Sequence, residues 1–160
     1  MFIAHLPSGY IGMKLMKVFY PIHKLLFFFG CLGAIFPDLD MFYFYFIDNR
    51  QHLHHTYITH WPVLWFSLLL VSILIKPYSF RKYLRVFSFF GCLHIFLDSV
   101  VGDICWFAPV SFQGYSLFEV KSVYSIWWLN FILHWSFVLE LLILTIALWM
   151  FFHKAIAVKK

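Results

Sequence analysis

The sequence predicts an all-α, polytopic membrane bundle: about four transmembrane helices, preceded by an N-terminal re-entrant or short helical segment, in a single membrane-embedded domain over 1–160. Three observations carry that prediction. The 160-residue chain is 63% hydrophobic and only 12% charged, where a soluble domain is about a quarter charged. Its apolar residues gather into four long segments. Its basic residues flank those segments instead of forming a stripe, so the net charge of +5 reads as membrane topology and not as a nucleic-acid surface.

Each segment can be justified in turn against the roughly 20 apolar residues that a crossing needs. The first covers 22–47; a helix from Leu25 to Ile47 would be about 35 Å long, with Pro37 set to kink or break it. Gly30 and Gly33 give this segment a small-residue surface for close helix packing. The second, 61–75, is short. The third and fourth cover 83–108 and 126–152. Cys31, Cys92 and Cys105 lie inside apolar runs and are odd in number, so no disulfide framework is implied. No cleavable signal peptide is read, and no internal repeat.

Ten basic residues (Lys14, Lys17, Lys24, Lys76, Arg81, Lys82, Arg85, Lys154, Lys159, Lys160) fall in one set of connections and two, Arg50 and Lys121, in the other. This asymmetry predicts cytoplasmic termini and a cytoplasmic 76–85 loop, with 48–60 and 109–125 facing outward. Asp48 and Glu119 sit in those outward loops. Asp38, Asp40, Asp98, Asp103 and Glu140 lie within or at the ends of apolar runs, where a carboxylate needs a partner, a metal or water.

Position along each span places Asp38, Asp40, His94 and Asp98 between the midplane and the outer face, and His60 and His134 in the outer parts of their helices. His94 and Asp98, four apart, share one helix face. His55 and His60 offer two imidazoles at the mouth of the second span, and a break at Pro37 would let Asp38 and Asp40 turn the same way. Imidazole with carboxylate suits a divalent ion, zinc before manganese or iron, and such an ion would acidify water for hydrolysis. His52 and His54 read as solvated loop residues, His23 and His153 as interfacial ones, and Glu140 as paired to a polar neighbour. A conduction path would spread ionisable groups across the full thickness; their crowding into one half favours a site over a pore.

The stretches AHLPSGY (4–10), FPDLD (36–40), HTYITH (55–60), HIFLDSVVGDICWFAP (94–109) and WWLNFILHWSF (127–137) together cover most of the chain. Through them the sequence resembles the small membrane-bound metal-dependent hydrolases, also described as LexA-binding, inner-membrane-associated hydrolases. The resemblance implies a multi-span helical protein of the inner membrane. Its divalent-metal ligands would be His5, Asp38, Asp40, His55, His60, His94 and Asp98, with Asp103, Trp106 and His134 nearby. The chain departs from the family's HRGxTH form at Thr56 and Tyr57, which removes a cation from this loop. To bring His5 to a site near the outer face, the segment 1–16 is expected to enter or re-enter the membrane, broken near Pro7-Ser8-Gly9. The expected function is hydrolysis of an ester or phosphoester, on an amphiphilic or lipid-linked substrate, with Asp103 as general base because it lies just over one helical turn beyond Asp98. The competing expectation is a non-catalytic membrane protein with a structural metal, or a metal or proton transporter.

Overall fold

The computed structural model describes residues 3–153; the basic residues Lys154, Lys159 and Lys160 lie outside the described residues. The described chain forms seven α-helices and no strand. Helix α1 spans His5–Phe19 and runs unbroken through Pro7-Ser8-Gly9. The break expected there is absent because Pro7 falls in the first turn, where its missing N–H has no helical acceptor to lose. The helix ends at Tyr20, whose φ/ψ are extended, as the residue before a proline prefers.

The first long apolar segment divides at its proline. Helix α2 spans Lys24–Ile35, a 3₁₀ turn covers Pro37–Leu39, and α3 spans Asp40–Phe46, with a bend of 61° between the two arms. Two further 3₁₀ turns, His54–Thr56 and Ile58–His60, lead into α4, Pro62–Leu74, which starts on a proline already set to helical φ. Helix α5 spans Tyr78–Asp98. Its end differs from the expected 108, because the chain beyond Asp98 satisfies its backbone across a loop: Leu117 N–H donates to Ser99 O, Phe118 N–H to Val100 O, and Ile104 pairs with Tyr115. The last segment also divides, into α6, Trp127–Ile132, and α7, Ser136–Phe152. The break falls where His134 Nδ1 meets Ser136 Oγ at 2.8 Å.

Helix α5 is the central element. Met13, Ile22, Leu26 and Ala34 pack around its Val86 and Phe90, while Trp65 and Ile104 pack around its Cys92 and Ile95. Two glycines let neighbours come close. A Cβ at Gly33 would collide with the Phe87 carbonyl oxygen, and one at Gly91 with the Trp65 ring. Helix α7 packs against α1, and its Glu140, 3% exposed, accepts the Ile3 N–H at 2.5 Å. A carboxylate within the helical core is thus engaged by the backbone just ahead of His5.

No single helix among the described residues is long and apolar enough to cross a membrane, although α2 with the Pro37–Phe46 arm meets the length and composition test as a bent pair. Helix α4 is about 20 Å long against a hydrocarbon thickness of about 30 Å. Helices α4 and α7 nevertheless carry exposed Phe66, Leu70, Leu74, Val138, Leu142 and Phe151, apolar side chains of the kind that an apolar surround or a partner covers.

Candidate metal centre

The i,i+4 line on α5 changes chemistry along its length. Val86 and Phe90 bury it in the core, and His94 and Asp98 follow on the same face, each 1% exposed. The His94 Nδ1 lies 2.7 Å from the Ala34 carbonyl oxygen. A carbonyl can only accept, so Nδ1 carries the hydrogen and the neutral ring presents the Nε2 lone pair. That lone pair faces Asp98 Oδ2 at 2.9 Å and Asp38 Oδ1 at 3.5 Å, yet Nε2 makes no hydrogen bond. Lone pair against carboxylate is repulsive unless a cation stands between them.

His60, fully buried, repeats the arrangement from the other wall. Its Nδ1 donates to Asp40 Oδ2 at 2.6 Å, and Thr59 Oγ1 donates to the same oxygen at 2.6 Å. Its Nε2 points at Asp38 Oδ1 and Asp98 Oδ2, 3.7 Å from each, again without a hydrogen bond. His5, in the first turn of α1, stacks on His94 with ring centroids 3.7 Å apart and brings Nε2 to 3.1 Å from Asp98 Oδ1 and 4.0 Å from Asp38 Oδ2. His55 Nε2 lies 4.0 Å from Asp98 Oδ2; its ring rests on Gly102, where a Cβ would stand 2.6 Å from Cε1.

Two groups of donor atoms result, each mutually within 4.8 Å: His5, Asp38, His94 and Asp98 in one, His54, His55 and His60 in the other. Four ligands held tetrahedrally at about 2.1 Å lie about 3.4 Å from one another, close to the spacings above. Both groups could hold a metal ion, and the donor set is nitrogen and oxygen without sulfur. The cysteines are free and do not join it. A ligating imidazole commonly donates its second ring N–H to a carboxylate or carbonyl; His60 with Asp40 and His94 with Ala34 are built that way. Burial pushes His54 below the ordinary imidazole value and His55 down to about 3, so both are neutral, the form that binds metal.

A family model described as YdjM inner membrane protein matches residues 1–158. The chain belongs to the YdjM inner membrane protein family. No curated protein and no solved structure matches it. The family's description places it at the inner membrane, in keeping with the exposed apolar faces of α4 and α7, and names no reaction.

Within this YdjM-family chain, His5, Asp38, His55, His60, His94 and Asp98 come together from α1, the Pro37 turn, the 54–60 turns and α5. Asp40 adjoins them through His60. Asp103 stands apart in the loop after α5; it is exposed, takes a hydrogen bond from Ser116 Oγ at 2.8 Å, and lines a cavity of about 720 Å³ together with His54, His55 and Gly102. The helical spacing that linked it to Asp98 does not apply, because α5 has ended. Trp106 donates to Ser99 Oγ at 3.0 Å and His134 contacts Ser136; neither belongs to a donor group. His52 is exposed, as a solvated loop residue should be, and its hydrogen bond to Asp48 holds that carboxyl down at about 2. His54 corrects the expectation that it is a bystander. It is half-buried, its Nδ1 lies 3.8 Å from Asp40 Oδ1, and it belongs to the second donor group. No local pattern announces this, because residues 40 and 54 meet only through the fold.

Proposed function

We propose that this protein is a multi-pass inner-membrane hydrolase that holds one or two divalent ions in the His/Asp cluster and cleaves an ester or phosphoester of an amphiphilic substrate. The observation that carries the reading is the pair of Nε2 atoms, on His60 and His94, aimed into a buried space bounded by the carboxylates of Asp38 and Asp98. His5, Asp38, His94 and Asp98 would hold one ion, with His54, His55 and His60 supplying the second group. Zinc suits the donor set best, with manganese and iron as the alternatives. The chemistry such an ion supplies is Lewis acidity: it acidifies water and polarises the bond to be cleaved.

The chain's own residues do the rest. Asp40 and the Ala34 carbonyl engage the Nδ1 atoms of His60 and His94, so both rings direct Nε2 into the site without rearranging. Burial keeps His54 and His55 neutral. In this reading Asp103, which lines the cavity that His55 also lines, would take a proton from the attacking water, with its carboxylate held by Ser116. On the same reading, the excess of Lys and Arg in the connections including 76–85 supports a cytoplasmic position for that side, with the site towards the outer face.

The test is metal analysis of the purified chain followed by a hydrolysis screen over esters and phosphoesters, comparing wild type with His94→Ala. Bound metal with turnover that His94→Ala abolishes supports the reading. Metal retained with no turnover on any substrate would turn the assignment to a structural metal, and metal released across a sealed membrane to transport.

A further inference from the structure

We propose that Arg50 is the residue that binds the substrate's anionic phosphate group, which makes the substrate class a phosphate-bearing amphiphile. This rests on the hydrolase reading for the site and adds its substrate class. The 55–60 loop carries no Lys or Arg, and the fold supplies one from the turn before it. Arg50 is the only Lys or Arg among the described residues lining the cavity of about 720 Å³ that His54 and His55 also line. A cavity of this size accommodates a head group with part of a chain. The guanidinium lies over the Tyr45 ring, 4.7 Å from its centroid, and forms no ion pair with a carboxylate among the described residues.

The backbone at this point is unusual. Asn49 and Arg50 have φ of 51° and 63°, the left-handed region that few non-glycine residues occupy and that gathers at binding sites. The turn is held there by Arg50 N–H donating to Phe44 O at 3.0 Å and His52 N–H donating to Asp48 Oδ2 at 2.9 Å. A planar guanidinium, backed by an aromatic face and unpaired, offers two parallel N–H donors to one phosphate. Apolar Met41, Phe44, Leu53 and Phe131 on the same cavity suit a hydrocarbon chain. Asp103 and Glu119 also line it, and their charge disfavours a polyanion, which favours a single phosphate.

The experiment measures binding to the detergent-purified, metal-loaded chain by calorimetry, with three probes: phosphatidic acid in micelles, diacylglycerol with the same tails, and inorganic phosphate. Wild type should bind phosphatidic acid at least tenfold more tightly than diacylglycerol. Arg50→Met should lose that preference while keeping the wild-type metal content and melting temperature, and Arg50→Lys should keep part of it. If Arg50→Met does not fold, Arg50→Gln takes its place with the same expected loss. An unchanged preference in the variant, or equal binding of the two lipids by wild type, overturns the proposal. Inorganic phosphate bound as tightly as phosphatidic acid, in an Arg50-dependent way, upholds the phosphate contact and overturns the amphiphile. A chain that purifies without metal but shows the Arg50-dependent preference sinks the hydrolase reading and leaves the phosphate contact standing.

Discussion

His94 gives its Nδ1 hydrogen to the Ala34 carbonyl at 2.7 Å and turns Nε2 towards Asp98 Oδ2 at 2.9 Å. The first contact settles the tautomer and the second aims the lone pair, so one residue of α2 and one of α5 together prepare a ligand. His94→Ala should lower metal affinity by more than ~100-fold, beyond the about 10–100-fold that loss of an orienting partner costs. Metal content after dialysis against graded chelator measures it; unchanged content would remove His94 from the centre.

Asp40 offers a finer test. Its Oδ2 accepts from both His60 Nδ1 and Thr59 Oγ1, so it acts on the centre through His60. Asp40→Asn should weaken metal binding by about 10–100-fold, and Thr59→Val by less. A loss as large as that of His60→Ala would instead make Asp40 a ligand in its own right.

Gly33 tests the packing that sets α2 against α5. A methyl group there meets the backbone carbonyl of Phe87, which cannot swing aside as a side chain could. Gly33→Ala should destabilise by about 1–3 kcal/mol, seen as a lower midpoint of thermal unfolding in detergent. Metal affinity should fall with it, because Ala34, the partner of His94, is the next residue.

The pH dependence follows from burial of the 54–60 turns. His55 sits at about 3 in the folded chain against an ordinary 6.5, so the unfolded segment binds the proton more readily. Stability from the neutral ring is fully present above pH 6.5 and is lost as pH falls from 6.5 towards 3. In metal-free protein, the protection factors of amides 54–60, corrected for the intrinsic slowing of exchange as pH falls, should therefore decrease below pH 6.5, and His55→Gln should flatten that response. Protection factors independent of pH in wild type would contradict the burial of this ring.

The sequence by itself determined what depends on neighbours along the chain. The break at Pro37 and the shared face of His94 and Asp98 follow from proline geometry and helical period, and the structure has both of them. The short apolar segment 61–75 appears as α4, Pro62–Leu74. Four of the residues now gathered around Asp98 were already singled out by their chemistry, since a carboxylate or imidazole in an apolar run needs a partner.

Only the tertiary structure decided who those partners are. The end of α5 at Asp98 and the split between α6 and α7 depend on hydrogen bonds that cross loops, which no local window contains. His54 joins the centre, and Asp40 turns to His60, through contacts between residues far apart in sequence. Arg50 reaches the cavity because two left-handed residues redirect the turn that carries it. Local pattern governs which residues share a helix face; the packing of α1, α2 and α5 around Phe90 governs which faces meet, and the centre exists only where they do.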